Sequence, residues 1–305
     1  MAFLRAFGSY VPPRVVTNED LAALAGKPAE WIRNASGIDE RRWASDEVTV
    51  ADLGVAAASD CLRRAGLAAS ELGLILVASG SGERRFPGPA SAVALGLGLD
   101  ATPAVDLPIA SAGSLYGMAL GARLAEDYGN VLVVAAEKMS AVVKRTPFDP
   151  NTGILFGDGA GACLISAGEG ALRVVDSLLL SDGSGAASLR LDWETGLSME
   201  GMAVIMNAAR RVPAAIAALL ARNGRTPGET GLFVMHQANL NLILRVAKTL
   251  GVSPDRFFNN IARYGNTSSA SLLIAAAEAD FSASPVCFAA FGAGWHWGAL
   301  LAERV

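Results

Sequence analysis

The sequence predicts an α/β fold built from two similar halves. Short apolar runs typical of buried strands alternate with alanine- and leucine-rich segments typical of helices. In addition, FGDGAGACLI at 156–165 is echoed by FGAGWHWGALL at 291–301. Because the elements around each copy follow a similar order, we divide the chain into an N-terminal half, residues 1–168, and a C-terminal half, residues 169–305.

The alternation assigns individual elements in order. A helix at 49–65 precedes a strand at 74–79, and a helix at 112–127 precedes a strand at 131–136. Strands joined by helical crossovers run parallel and are covered on both faces, so we expect a largely parallel sheet. The amphipathic stretch 203–223 contains Pro213, which predicts a kink or two abutting helices.

The composition argues against several classes of protein. Of the 305 residues 52% are hydrophobic, yet no window approaches the roughly 18 consecutive apolar residues of a membrane span. A formal net charge of −4 without a basic run argues against a nucleic-acid binder. The first residues lack the pattern of a secretory signal. Cys61, Cys163 and Cys287 have no disulfide or metal-ligand spacing, which indicates core thiols, no metal and a reducing cytoplasm.

Three segments place a polar side chain where an apolar run gives way to a helical pattern. His236 follows an apolar strand, Asn266 precedes three hydroxyl residues (267–269) that can cap a helix, and Ser111 stands at the start of a small-residue helix. Singly, they fit a core histidine, a turn residue and a helix cap. Because α/β sheets place catalysts at the carboxyl ends of strands, together they indicate a base, an amide donor and a nucleophile at one site.

The blocks that carry these residues resemble those of the ketoacyl-ACP synthase III family, where ACP is the acyl carrier protein. They are HQAN at 236–239, YGNTSSAS at 264–271, FGDGAGA at 156–162 and FGAGWHWGA at 291–299. EWIRNASGIDERRW at 30–43 and RFPGPAS at 85–91 are similar to the family's substrate-entrance and dimer-interface segments. The resemblance runs from about residue 3 to the C-terminus.

This resemblance implies a thiolase-like fold, with two duplicated halves in five α-β-α-β-α layers. The activity it implies is acyl transfer from a CoA or ACP thioester in fatty-acid, polyketide or specialised-metabolite synthesis. The reaction is either decarboxylative condensation or transfer to a small acceptor. A homodimer is implied as well, and no cofactor beyond the thioester substrate.

The resemblance also implies roles for individual residues. His236 is the base, and Asn266 stabilises an enolate or oxyanion. Backbone amides of Ser111 and of the turn at Gly292, Ala293 and Gly294 form the oxyanion hole. The resemblance also assigns Trp31, Phe86 and Asn239 to the substrate tunnel, with Phe86 approaching the acyl pocket of a partner subunit. Arg245 and Lys248 lie one turn apart on the helix after His236 and are either candidates for docking of the acidic carrier protein or solvated surface charges.

Ser111 stands where the family has its catalytic cysteine. A helix N-terminus can ionise a thiol of pKa near 8.5, but its stabilisation of about 1 kcal/mol cannot ionise a hydroxyl. The serine must therefore lose its proton to His236 during attack. Three explanations stay open: a native serine enzyme, a Cys→Ser variant that holds a substrate, and a subunit that has lost activity. The alternative function is that of a non-catalytic partner in a heterodimeric ketosynthase.

A second departure concerns the thioester donor. Trp31 keeps the tryptophan position of the family's CoA site, but Ala35 and Pro150 stand where arginines are expected. This weakens the case for acetyl-CoA and is compatible with an acyl-ACP donor. Four nearby cations are candidates to compensate or are solvated surface charges: Arg33, Arg41, Arg42 and Lys144.

Overall fold

The structure is a computed structural model and describes residues 1–144, 148–192 and 194–305. The strands of the N-terminal half are β1 (Ala2–Tyr10), β2 (Val15–Thr17), β3 (Glu40–Arg42), β4 (Leu74–Ala78), β5 (Ala104–Leu107), β6 (Asn130–Lys138) and β7 (Asp158–Ala167). Its helices are α1 (Asn18–Ala25), α2 (Ala29–Ser36), α3 (Val50–Ala65), α4 (Pro89–Gly96), α5 (Gly113–Tyr128), α6 (Met139–Val143) and α7 (Pro150–Gly153).

The C-terminal half contains a matching set of elements. Its strands are β8 (Leu172–Ser181), β9 (Leu189–Asp192), β10 (Gly196–Met199), β11 (Leu232–Met235), β12 (Phe257–Phe258), β13 (Val286–Gly292) and β14 (His296–Arg304). Its helices are α8 (Gly201–Arg222), α9 (Leu240–Leu250), α10 (Ile261–Tyr264) and α11 (Ser271–Glu278).

In the described part of the chain, ten strands form one continuous sheet in the order β12-β11-β13-β14-β8-β1-β7-β6-β4-β5. Counted outward from the central β8–β1 pair, corresponding strands of the two halves follow in the same order, β1-β7-β6-β4-β5 in the first half and β8-β14-β13-β11-β12 in the second. The strands up to residue 167 lie on one side and those from residue 172 on the other. The division near residue 168 stays a proposal, and this order supports it.

The prediction of a largely parallel sheet is wrong, because the pairing is mixed. Strand β4 runs parallel to β5 and β6, and β11 runs parallel to β12 and β13. The other pairs within the large sheet are antiparallel. Helical crossovers lead to the parallel pairs, whereas β13 returns directly into β14 through the tight turn at 293–295.

The helices pack in layers that confirm the predicted fold. Helices α5 and α11 lie in a central core that includes strand residues of both halves, such as Leu76, Val133 and Phe288. Helices α3 and α4 cover the opposite face of the first half, and α8 and α9 that of the second. Five α-β-α-β-α layers result, as in thiolase-like folds.

Local signals fix several boundaries close to their predicted positions. Thr49 begins α3 with a reciprocal cap, in which its hydroxyl accepts from the Asp52 N–H and the Asp52 carboxylate accepts from the Thr49 N–H. Gly66 ends the helix with φ +63°. The predicted second helix and both strands agree with α5, β4 and β6 to within two residues at each end.

Helix α8 runs through Pro213 as one continuous helix, so of the two expectations at this proline the pair of abutting helices is wrong, and the kink stays a prediction. Its inner face, including Val212, Ile216 and Leu219, is buried in the core of the second half, and this burial offsets the hydrogen bond that proline removes. Among the described residues, α8 alone has the length and apolar composition of a membrane-crossing helix. The same test is passed by core helices of soluble proteins, and α8 packs as one.

Candidate active site

Ser111 lies between the end of β5 and the beginning of α5. Its backbone has φ +64°, the left-handed region that few non-glycine residues adopt, and the residue is buried. The residue that precedes the helix is Ala112, so Ser111 is not the helix cap. The conformation holds Ser111 at the N-terminus of a 16-residue helix, where the positive end of the helix dipole favours developing negative charge.

Asn266 is connected to Ser111 through a second serine. The Ser268 N–H donates to the Asn266 Oδ1 over 2.9 Å, and the Ser111 N–H donates to the Ser268 Oγ over 3.2 Å. The Asn266 backbone is itself paired with the FGDG block, since its N–H donates to the Leu155 carbonyl and its carbonyl accepts from Gly157. The blocks that carry Ser111 and Asn266 therefore form one hydrogen-bonded unit.

The hydroxyl residues after Asn266 do not cap the following helix as predicted. Helix α11 is preceded by Ala270, and Asn266 lies between α10 and a short 3₁₀ turn instead of directly after a strand. The Ser268 hydroxyl accepts the Ser111 N–H. The Thr267 hydroxyl is buried without a hydrogen-bond partner among the described residues. Long-range contacts have replaced the local cap.

His236 follows β11 directly, as predicted. Its backbone N–H donates to the Ala289 carbonyl over 2.9 Å, and its Nδ1 lies 2.5 Å from the Ser271 Oγ. The same hydroxyl accepts the Gln237 N–H over 3.0 Å. Burial lowers the pKa of His236 from 6.5 to about 4, so the ring is neutral at pH 7 and able to accept a proton.

The His236 and Asn266 segments also touch one another. The Asn266 Nδ2 lies 3.5 Å from the carbonyl oxygen of Ala238, two residues after His236. These contacts connect the segments that carry the three predicted residues through their backbones and through Ser268. The structure thus brings the Ser111, His236 and Asn266 segments to one place in the fold.

The turn at 292–294 packs against the backbone on both sides of Ser111. A Cβ at Gly292 would lie 2.1 Å from the Ala110 carbonyl oxygen and 2.6 Å from the Ala112 nitrogen, so only glycine fits. The predicted oxyanion donors are therefore adjacent. The Ser111 N–H is already engaged by Ser268, however, and an oxyanion bound there must displace that hydroxyl.

Glu137 is a buried carboxylate that sequence analysis missed. It is the penultimate residue of β6, just before Lys138, and accepts from the Ser269 Oγ over 2.7 Å and from the Ser81 Oγ over 2.5 Å. The Gly80 N–H donates to the same group. Glu137 thus ties the Asn266 block to the loop after β4. Its signal was a Glu-Lys pair at the end of an apolar run. The sequence indicated Ser268 only as a helix cap, and Ser271 gave no signal beyond its place in the YGNTSSAS block.

The predicted tunnel residues Trp31 and Asn239 lie on neighbouring helices. Trp31 is half-buried in α2, with the Lys27 ammonium 5.4 Å from its ring. Asn239 caps α9 and donates through its Nδ2 to the Ala35 carbonyl at the end of α2, over 2.9 Å. Asn239 therefore fixes the Trp31 helix beside the segment that carries His236.

The other predicted contact residues lie on the surface. Phe86 is 85% exposed in the segment before α4. Arg245 and Lys248 are exposed one turn apart on α9, and no ion pair links either of them to another residue in the described ranges. These positions leave all three side chains accessible to a binding partner.

The four cations considered as replacements for the missing CoA-site arginines are already engaged. Arg41 is fully buried, and it donates to the Ile154 carbonyl over 2.6 Å and to the Asn18 Oδ1 over 2.8 Å. Burial lowers the pKa of Arg41 to about 10. Both expectations for Arg41, a replacement for a CoA-site arginine and a solvated surface charge, are wrong. Ion pairs engage the other three: Arg33 with Asp39, Arg42 with Glu40, and Lys144 with Asp46.

The cysteines are core thiols, as predicted. Cys61, Cys163 and Cys287 are all buried and unpaired. Burial raises the pKa of Cys61 and of Cys287 to about 12 and raises the pKa of Cys163 well above its usual value. None of the three can supply a thiolate to the site.

A cavity of about 1360 Å³ adjoins the site. Ala110, next to Ser111, lines it together with Ala293 and Gly294 of the turn. His296, the first residue of β14, also lines it. The cavity therefore flanks Ser111 from the side of the glycine turn.

Comparison with known proteins gives consistent matches along the chain. Residues 105–183 match the family model described as 3-oxoacyl-[acyl-carrier-protein (ACP)] synthase III, and residues 220–304 match that of its C-terminal part. The beta-ketoacyl-[acyl-carrier-protein] synthase III of Oleidesulfovibrio alaskensis is 36% identical, covering 98% of both chains. A crystal structure of 3-oxoacyl-[acyl-carrier-protein] synthase III from Aquifex aeolicus superposes with TM-score 0.94 at 32% identity, covering 100% of both chains. A priming beta-ketosynthase of a polyketide pathway superposes with TM-score 0.90 at 30% identity, covering 100% of this chain and 96% of its own.

Proposed function

Because this chain belongs to the 3-oxoacyl-[acyl-carrier-protein] synthase III family, we propose that it transfers an acyl group from a CoA or ACP thioester by way of Ser111. Ser111 then occupies the place of the catalytic cysteine. The hydrogen-bonded path from Ser111 through Ser268 to Asn266 carries this proposal. The acyl group passes to the carbon nucleophile formed from malonyl-ACP or to a small-molecule acceptor.

The first half-reaction acylates Ser111. Neutral His236 takes the hydroxyl proton while the Ser111 Oγ attacks the thioester carbonyl. The carbon–sulfur bond breaks, and the leaving thiolate receives the proton from His236. An oxyester remains on Ser111. Because burial disfavours the charged imidazolium, His236 is a weak base and we expect this step to be slow.

The second half-reaction forms the product. Decarboxylation of malonyl-ACP releases CO₂ and leaves an enolate, whose oxygen accepts a hydrogen bond from the Asn266 Nδ2. The enolate carbon attacks the oxyester carbonyl, and the Ser111 oxygen leaves and takes a proton from solvent. Since an oxyester is a poorer acyl donor than a thioester, transfer to a small nucleophile stays open as the alternative.

The proposal extends to a homodimer. Strand β5 lies at the edge of the sheet, and Val105 on this strand is 45% exposed. The exposed Phe86 precedes α4, which packs on β5. An open apolar edge strand is a template for pairing with a second strand, here the same strand of a second copy. We also propose that Arg245 and Lys248 contact the acidic carrier protein and that the protein works in the cytoplasm, which suits its unpaired cysteines.

A non-catalytic role in a heterodimeric ketosynthase is the second candidate. One observation favours it: the Ser111 N–H is engaged by Ser268 instead of facing an open oxyanion hole. Stable co-purification with a cysteine-bearing homologue, without acylation of this chain, supports that role.

Product formation tests the proposal. The protein is incubated with an acyl-CoA or an acyl-ACP together with malonyl-ACP, and 3-oxoacyl-ACP is measured by mass spectrometry. We expect product with the parent chain and none with Ser111→Ala. Equal product from both chains contradicts a role for Ser111 as nucleophile.

A further inference from the structure

His296 is the second of the two histidines, and the proposed reaction does not use it. Its Nδ1 lies 2.7 Å from the Ser181 Oγ, and that oxygen lies 3.1 Å from the Tyr116 Oη. The Tyr116 hydroxyl in turn donates to the Leu180 carbonyl over 2.6 Å. A chain of three hydrogen bonds thus runs from the ring to the backbone of β8.

These three hydrogen bonds determine which nitrogen of His296 carries the proton. Tyr116 has one hydroxyl hydrogen, and the Leu180 carbonyl takes it because a carbonyl can only accept. The contact between the two hydroxyls then requires Ser181 to donate to Tyr116. With its one hydrogen used, Ser181 can only accept from the ring. The Nδ1 of His296 is therefore the donor, and its Nε2 carries a lone pair.

Neighbouring groups hold the ring in this orientation. Tyr116 packs edge-on to it, with centroids 5.4 Å apart and planes at 74°. The preceding Trp295 has φ +43° and fits closely against Gly185, where a Cβ would lie 2.0 Å from its ring. The Arg211 guanidinium lies 5.1 Å from the centroid of the Trp295 ring and forms an ion pair with Asp182. The backbone at His296 is thus fixed from several sides.

The free nitrogen of His296 is available to the cavity beside Ser111. Its Nε2 has no hydrogen-bond partner in the described ranges, and this atom is accessible to solvent. His296 lines the cavity together with Gly294, and a Cβ at Gly294 would lie 2.9 Å from this Nε2. A side chain at position 294 would therefore crowd this nitrogen, and glycine avoids that contact. Burial lowers the pKa of His296, which favours the neutral ring that accepts.

We propose that the His296 Nε2 accepts a hydrogen bond from a hydroxyl group on the acyl chain, and that the enzyme thereby prefers hydroxyacyl to plain alkyl-acyl thioesters. This inference rests on the proposed function, since it takes the cavity beside Ser111 to hold the acyl group. An alkyl chain in the same place displaces water from the lone pair and leaves it unpaired, whereas a hydroxyl pairs with it.

Matched thioesters test the preference. N-acetylcysteamine thioesters of one chain length are prepared with a hydroxyl at each successive carbon, alongside the alkyl parent. The second-order rate constant for acylation of Ser111 is measured by intact mass. We expect at least one hydroxyacyl thioester to react about 10-fold faster than its parent, as one hydrogen bond to a partly exposed acceptor allows.

Variants at His296 identify the source of the preference. His296→Phe keeps a ring but has no acceptor, and the hydroxyacyl-to-alkyl ratio should fall to about 1. His296→Gln retains an acceptor oxygen and should restore part of the ratio. Because the ratio is taken within one variant, general damage to the site cancels. If His296→Phe does not fold, Tyr116→Phe breaks the hydrogen-bond chain and should lower the ratio.

The possible outcomes separate the inference from the proposed function. Equal rates for all hydroxyacyl thioesters and their parent, or a ratio that His296→Phe leaves unchanged, overturns the inference while acylation of Ser111 stands. Absence of acylation by every thioester overturns both.

Discussion

The Ser271 Oγ lies 2.5 Å from the Nδ1 of His236 and also accepts the N–H of Gln237. This one hydroxyl fixes the ring and the backbone just beyond it. With Nδ1 occupied, Nε2 is the nitrogen left for chemistry. The proposed base is therefore oriented by the helix that follows Asn266, so the two functional blocks depend on one another.

We predict that Ser271→Ala lowers the acylation rate about 10-fold. The substitution leaves two buried donors or acceptors without a partner, and we also expect a loss of about 1–3 kcal/mol in the free energy of unfolding. Ser114→Ala is the matched control, because the Ser114 hydroxyl is buried without a hydrogen-bond partner in the described part of the chain. A Ser271→Ala rate equal to that of the Ser114→Ala control would show that Ser271 does not position the base.

Removal of the base itself should have a larger effect. We expect His236→Ala to lower self-acylation by about 10²–10⁴-fold, because a neutral serine depends on general-base assistance. Intact mass measured over time after addition of an acyl-CoA or acyl-ACP gives the rates. Labelling of His236→Ala at the parental rate would remove His236 from the mechanism.

The acylation rate should be flat between pH 6 and 8. Burial holds the pKa of His236 at about 4, so the folded ring is neutral throughout that range. The unfolded chain binds this proton near pH 6.5, so burial of His236 destabilises the fold increasingly as the pH falls from 6.5 towards 4. Denaturant unfolding between pH 6.5 and 4 should show a smaller loss in the free energy of unfolding for His236→Gln than for the parent chain. An acylation profile with its midpoint near pH 6.5 would contradict the assigned protonation state.

Ser111→Cys should increase transfer and create one reactive thiol. A thiolate attacks without waiting for a base, and the resulting thioester is a better acyl donor than an oxyester. Iodoacetamide should label residue 111 only, because burial raises the pKa of the three native cysteines. If neither alkylation at 111 nor turnover with any thioester appears, the non-catalytic partner becomes the better account.

The parent protein should be a dimer by light scattering at micromolar concentration. Val105→Lys places a charge on the open edge of β5 and should give monomers. Val15→Lys is the control, since Val15 is similarly exposed, at 40%, but lies in the separate β2–β3 pair. A monomeric parent chain, or a dimer that survives Val105→Lys, contradicts pairing through β5.

Local signals in the sequence predicted α3, β4 and β6, because caps and apolar periodicity act within a few residues. Contacts between distant residues were not predictable in this way. The Ser111–Ser268 bond spans 157 positions and the Glu137–Ser269 bond 132. The Ser268 hydroxyl accepts the N–H of the distant Ser111 and does not cap α11. The burial of Arg41 was likewise not predictable, because its charge alone favours a surface position.

Peptide mapping of the acylated protein tests the central claim most directly. The parent chain is incubated with an acyl thioester, digested and analysed by mass spectrometry, with Ser111→Ala treated in parallel. The account predicts one added acyl group on the peptide that contains Ser111, linked as an oxyester, and none on Ser111→Ala. An acyl group on another residue, or an unmodified parent chain with every CoA and ACP thioester, contradicts it.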